Sequence, residues 1–154
     1  MSQTALPRTA AGGLSRHLVA FAAGFLAVLV FHQGVLVLLN LMGLLQANVY
    51  NMTPTAPLGV PAVLSASFWG GVWGILLMLI LDRRHRDAKW WLIALVFGAL
   101  GPTLVAWFVV APIKGRPIAG GWNPATIWIG PLINGAWGVG TALLVRLSER
   151  VRGV

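Results

Sequence analysis

Four apolar stretches, each about as long as a bilayer core is thick, take up most of a 154-residue chain. A helix needs about 20 apolar residues to cross the hydrocarbon layer. The sequence supplies them at about 17–45, 61–81, 90–110 and 127–147. In lipid every backbone N–H and C=O must find its partner inside the chain, so such stretches fold as helices. Charged residues make up only 9% of the chain, against about 25% in soluble domains. The pattern predicts an all-α integral membrane four-helix bundle. Residues 17–154 would form a single transmembrane domain, preceded by a cytoplasmic tail at 1–16. The first stretch far exceeds a signal-peptide core of about 7–15 residues and reads as a retained span.

The connections set the orientation. With four spans, Arg8, Arg16, Arg83, Arg84, Arg86, Lys89, Arg146, Arg150 and Arg152 share one side, and only Lys114 and Arg116 fall on the other. The positive-inside rule then places both termini in the cytoplasm. The formal net charge of +8 therefore reads as topology. No basic-aromatic motif accompanies it, so nucleic acid is not an expected partner. The absence of cysteine excludes disulfides and thiolate chemistry.

A glycine–tryptophan signature occurs twice: Gly71-Val72-Trp73-Gly74 returns 64 positions later as Gly135-Ala136-Trp137-Gly138. At that offset Ala66, Gly70 and Gly74 align with Gly130, Asn134 and Gly138. Residues four apart share a helix face, and small ones let two helices approach closely. These positions are the expected packing points of a tandem repeat of a two-span hairpin, both copies oriented alike. The same faces could also meet a second copy or a partner in a membrane complex. Trp73 and Trp137, near mid-span, should face protein. Trp90, Trp91, Trp122 and Trp128, near span ends, should sit in the interfacial belt.

No Asp, Glu, Lys or Arg lies deep in any stretch. The polar residues there are His32, Gln33 and Asn40 on the first and Asn134 on the fourth. An unpaired polar group in lipid costs several kcal/mol, so His32 or Gln33 is expected to hydrogen-bond across to Asn134. The cluster of His32, Gln33, Asn40 and Asn134 reads either as a structural clamp or as the lining of a route. His17 and His32 lie about 22 Å apart along one helix at ~1.5 Å per residue, too far to share a metal. No zinc-site spacing occurs, and no cofactor is expected. A phosphate loop, a nucleophile elbow and an HExxH motif are all missing, which argues against an enzyme.

Phe31-His32-Gln33, Gly59-Val60-Pro61, Phe68-Trp69-Gly70-Gly71, Lys114-Gly115-Arg116-Pro117 and Asn134-Gly135-Ala136-Trp137-Gly138 occur in that order. In these elements the chain resembles a group of small four-span bacterial inner-membrane proteins with no assigned activity. The resemblance covers most of the chain after residue 20. It implies a bacterial inner membrane and no particular chemistry. The sequence thus favours a structural or assembly protein acting through helix packing, with a small oligomeric channel or transporter as the alternative.

Overall fold

The structure, a computed structural model, describes residues 10–82 and 84–152. Arg8, Arg83 and the first nine residues of the expected tail lie outside the described residues. Four long helices form the fold. The first covers residues 10–41, as α-helix Ala10–Ala27, a π-helical segment Val28–His32 and α-helix Gln33–Leu41. The second is Ala62–Leu81. The third covers residues 88–113, as Ala88–Val105, a second π-helical segment Ala106–Val110, and Ala111–Ile113. The fourth is Ile129–Arg152.

Helix ends follow local chemistry more closely than apolar length alone. The first helix stops at Leu41, short of the expected residue 45, because Gly43 enters the left-handed region at φ 70°. Leu44 N–H then donates to Leu39 O and Gly43 N–H to Asn40 O, each at 3.0 Å. This is the two-bond glycine stop that satisfies the last carbonyls of a helix. The same helix begins at Ala10, so residues 10–16 are helical rather than tail. The third helix starts at Ala88 because Asp87 caps it, its carboxylate accepting from Trp90 N–H at 3.1 Å. Proline at the head of the second helix offers no side-chain cap. The orphan N–H groups of its first turn go instead to the preceding loop, Ala62 N–H to Thr53 O and Val63 N–H to Asn51 O. That loop folds as a two-residue antiparallel ribbon, Pro54–Thr55 against Val60–Pro61. Pro131 falls in the first turn of the fourth helix, where a missing N–H costs nothing, so the helix is not broken there.

Among the described residues three helices are long and apolar enough to cross a membrane: Gly13–Leu41, Ala62–Leu81 and Ala88–Ile113. The fourth has the length, 24 residues, but it is diluted by Gly130, Gly135, Gly138, Gly140, Asn134 and Thr141. It packs most extensively against the third and the first helices, and its last turns carry Arg146, Glu149, Arg150 and Arg152. Its glycines and these charges lower its apolar content below the span pattern expected at 127–147.

Glycine sets the closest approaches. A Cβ on Gly74 would lie 2.6 Å from Ala20 O, and one on Gly24 would lie 3.0 Å from Gly74 Cα. Between the third and fourth helices, a Cβ on Gly98 would lie 2.6 Å from Asn134 O and 2.8 Å from Gly138 Cα. Gly130 faces Thr103 more loosely, at 3.3 Å. Backbone meets backbone at both crossings, so no side chain can be added without moving a helix. Ala66, aligned with Gly130 in the sequence, is exposed, and Ser67 takes the buried position. The reason is geometric: a strict four-residue row drifts by about 40° per step on an α-helix, so Ala66 has rotated off a face centred on Gly70 and Gly74.

The core lies at one end and the middle of the four helices. Ala20, Ala23, Leu77, Met78, Leu81, Trp90, Ala94, Ala142 and Val145 form the larger cluster, and Ala27, Val28 and Trp137 the smaller one. Trp90 is a core residue at 1% exposure, not an interfacial one. Its cap by Asp87 and the Arg86 guanidinium 5.5 Å from the ring centroid fix it under the neighbouring helices. Trp122 and Trp128 stay exposed at the opposite end.

Candidate functional site

The mid-helix polar residues do not converge on one another. Asn134 donates from Nδ2 to Thr103 Oγ1 at 2.9 Å, across the third–fourth helix contact. Gln33, 6% exposed, accepts at Oε1 from Tyr50 N–H at 3.0 Å. Asn40 closes a local ring with the backbone of Ala47, donating to its carbonyl at 2.8 Å and accepting from its N–H at 2.9 Å. The bond expected from His32 or Gln33 to Asn134 is therefore replaced by three separate pairings. The register between the packed first and fourth helices decides this, and sequence spacing within one helix does not report it.

His32 sits at the end of the first π-helical segment. Its Nδ1 is buried and has no hydrogen-bond partner among the described residues. A π turn admits one residue more than an α turn and disturbs the regular ladder of donors and acceptors. The Leu29 carbonyl in this segment takes a donor from outside the helix, the Tyr50 hydroxyl at 2.9 Å. Tyr50 thus holds the loop between the first and second helices to the first helix through its N–H on Gln33 and its hydroxyl on Leu29. Tyr50 and Thr103 are the residues that the sequence reading missed. Tyr50 is the only tyrosine of the chain, and its position just beyond an apolar helix was the available signal.

Trp137 serves the centre of the fold. Its Nε1 donates to Gly24 O at 2.9 Å, joining the fourth helix to the first. The carbonyl is reachable because Gly24 carries no side chain and Gly70 lies against it. Trp73 packs edge-on against Phe97, with ring centroids 5.7 Å apart. Ser67 and Thr141 return their hydroxyls to their own helices, to Val63 O and Trp137 O, each at 2.9 Å. The buried hydroxyls are thereby satisfied without a partner chain.

Charge gathers at the opposite end from Tyr50. Arg16 pairs with Asp82 and Arg86 with Glu149, ties that join the first helix to the end of the second and the connection between the second and third helices to the fourth. Burial, then the positive charges of Arg146 and Arg16, hold the Arg86 guanidinium below the usual arginine range. A cavity of about 790 Å³ opens here, between the start of the first helix and the ends of the second and fourth. Among the described residues no group of three or more His, Cys, Asp or Glu is placed to hold a metal ion. The chemistry on offer is hydrogen bonding in the middle and ion pairing at the basic end. A scan against protein-family models, a search of curated proteins and a search of solved structures each returned no match.

Proposed function

We propose that the chain is a multi-pass protein of a bacterial inner membrane, with four spans and both termini cytoplasmic, and that it works as a structural or assembly component through helix packing. Its partners on this reading are the bilayer and either a second copy or a membrane-complex subunit. The supporting observation is how its interior is used. Both glycine crossings close to backbone contact, and Gln33, Asn40 and Asn134 are each engaged in a local pairing. Groups spent in this way hold helices in register and leave little to line a route.

The two crossings also support a duplicated hairpin. Ala20 and Gly24 meet Gly70 and Gly74 as Ala94 and Gly98 meet Asn134 and Gly138. The first and third helices each carry a five-residue π segment beyond the crossing. On this reading the copies run in the same direction, and Asn134, standing where the first copy has Gly70, is the added polar contact.

A second reading, a small oligomeric channel or transporter, is favoured by one observation: the buried, unpartnered Nδ1 of His32. Purified protein in liposomes separates the two. The structural reading expects no flux of protons, monovalent ions or small solutes, and a partner or second copy that co-purifies in mild detergent. Flux that disappears in His32→Ala would reverse the preference.

A further inference from the structure

The cavity at the basic end is walled by two chemistries. Arg16, Arg86 and Arg152 line it together with Asp82 and Glu149, and Met78, Leu79 and Val145 supply its apolar lining. Leu79 is 56% exposed, so the apolar wall continues onto the outer surface of the second helix. Among the described residues Arg16 and Arg86 have carboxylate partners, whereas Arg152 has none. Three arginines against two carboxylates leave one positive charge in excess there, and burial first, then Arg146 and Arg16, hold Arg86 below the usual arginine range.

We infer that this cavity binds the phosphodiester headgroup of an anionic phospholipid, with the phosphate at the unpaired Arg152 and the upper acyl chain along Leu79. Basic pockets between helices on the cytoplasmic side suit anionic headgroups. Arginine is the better ligand for phosphate because its planar fork offers paired donors. A soluble phosphate would need the cationic wall alone. The apolar wall, open to the helix exterior, fits a ligand that arrives with a hydrocarbon chain attached. The inference rests on the membrane reading above, with the basic end in the cytoplasmic leaflet.

The test uses the full chain purified in an uncharged detergent and titrated with phosphatidylglycerol, phosphatidylcholine of the same acyl composition, or inorganic phosphate. Native mass spectrometry reads binding, and the thermal midpoint reads its effect. Phosphatidylglycerol should bind and raise the midpoint, and phosphatidylcholine should do neither. Arg152→Gln should weaken the apparent affinity about fivefold. Lys89→Gln, the same charge change at the same end but outside the cavity, should leave it unaltered. Equal binding of the two lipids, equal loss in the two variants, or a midpoint shift reproduced by inorganic phosphate overturns the inference. Alkaline carbonate extraction of membranes separates the two levels. Protein retained in the pellet but indifferent to phosphatidylglycerol loses the site alone, and protein released to the supernatant loses the membrane reading as well.

Discussion

Gly138→Ala adds one methyl group and should separate two helices. Its Cβ would lie 2.9 Å from Gly98 Cα and against the Ala94 carbonyl, all of it backbone. Carbon atoms in contact sit about 3.5–4.0 Å apart, so the third and fourth helices must part locally by roughly 0.8 Å. A gap of that size forfeits a quarter to a half of each pairwise attraction, and with ~30 atom pairs near the crossing at ~0.1–0.2 kcal/mol each, the loss is about 1–3 kcal/mol. Overpacking measured in protein cores falls in the same range, about 1–3 kcal/mol. An opposing effect must be removed, because alanine in place of a helical glycine gains up to about 1 kcal/mol of propensity. Gly34→Ala supplies that control, since nothing lies within 4 Å of a Cβ there. Thermal unfolding in mild detergent, followed by tryptophan fluorescence, should put Gly138→Ala roughly 4–8 °C below Gly34→Ala, using the slope for chains of this size. A Gly138→Ala midpoint equal to or above that of Gly34→Ala would refute the claim that backbone contact sets this crossing.

Three further outcomes follow from individual bonds. Trp137→Phe removes the donor to Gly24 O and should cost about 1 kcal/mol, seen as a small drop in the same thermal midpoint. Tyr50→Phe frees the Leu29 carbonyl, and amide hydrogen exchange across 42–61 should quicken about fivefold, the equivalent of one hydrogen bond, while the four-helix core keeps its protection. A double-mutant cycle on Asn134→Leu and Thr103→Val should return a coupling of roughly 0.6 kcal/mol, the average for such bonds between membrane helices. A coupling near zero would show that the 2.9 Å contact contributes nothing to stability.

The helices were legible because apolar length is written directly in the chain, but that same length carried the first one to residue 45, past the stop that Gly43 makes after Leu41. Asp87 was an equally direct capping signal that apolar length obscured. The fourth helix was the hardest to classify from composition, since its glycines, Asn134 and the charges of its last turns dilute its apolar content. Ala66 was misplaced because a four-residue row drifts around the helix, which only the true contact face reveals. Trp90 illustrates the same limit: tryptophan at a span end suits an interface or a core, and the packing of neighbouring helices decides between them. The pairing of Asn134 with Thr103 depends on helix register across a distant crossing. That register is set by glycine contacts between two segments, and neither segment encodes it alone.

The π-helical segments of the first and third helices have a consequence for how this chain tolerates change in length. Each segment holds one residue more than an α-helical turn would need. Deleting a single residue within Val28–His32 would therefore not break the helix but convert it to plain α-helix, with every N–H still served. The segment beyond it would keep nearly the same phase, because the widened turn already absorbs the surplus residue. Gln33 would still face Tyr50, and the loop would keep its mooring above a glycine crossing that stays closed. Shortening the helix by one residue is therefore absorbed within Val28–His32, whereas inside Ala10–Ala27 it would turn one part of the packing face by about 100° against the other.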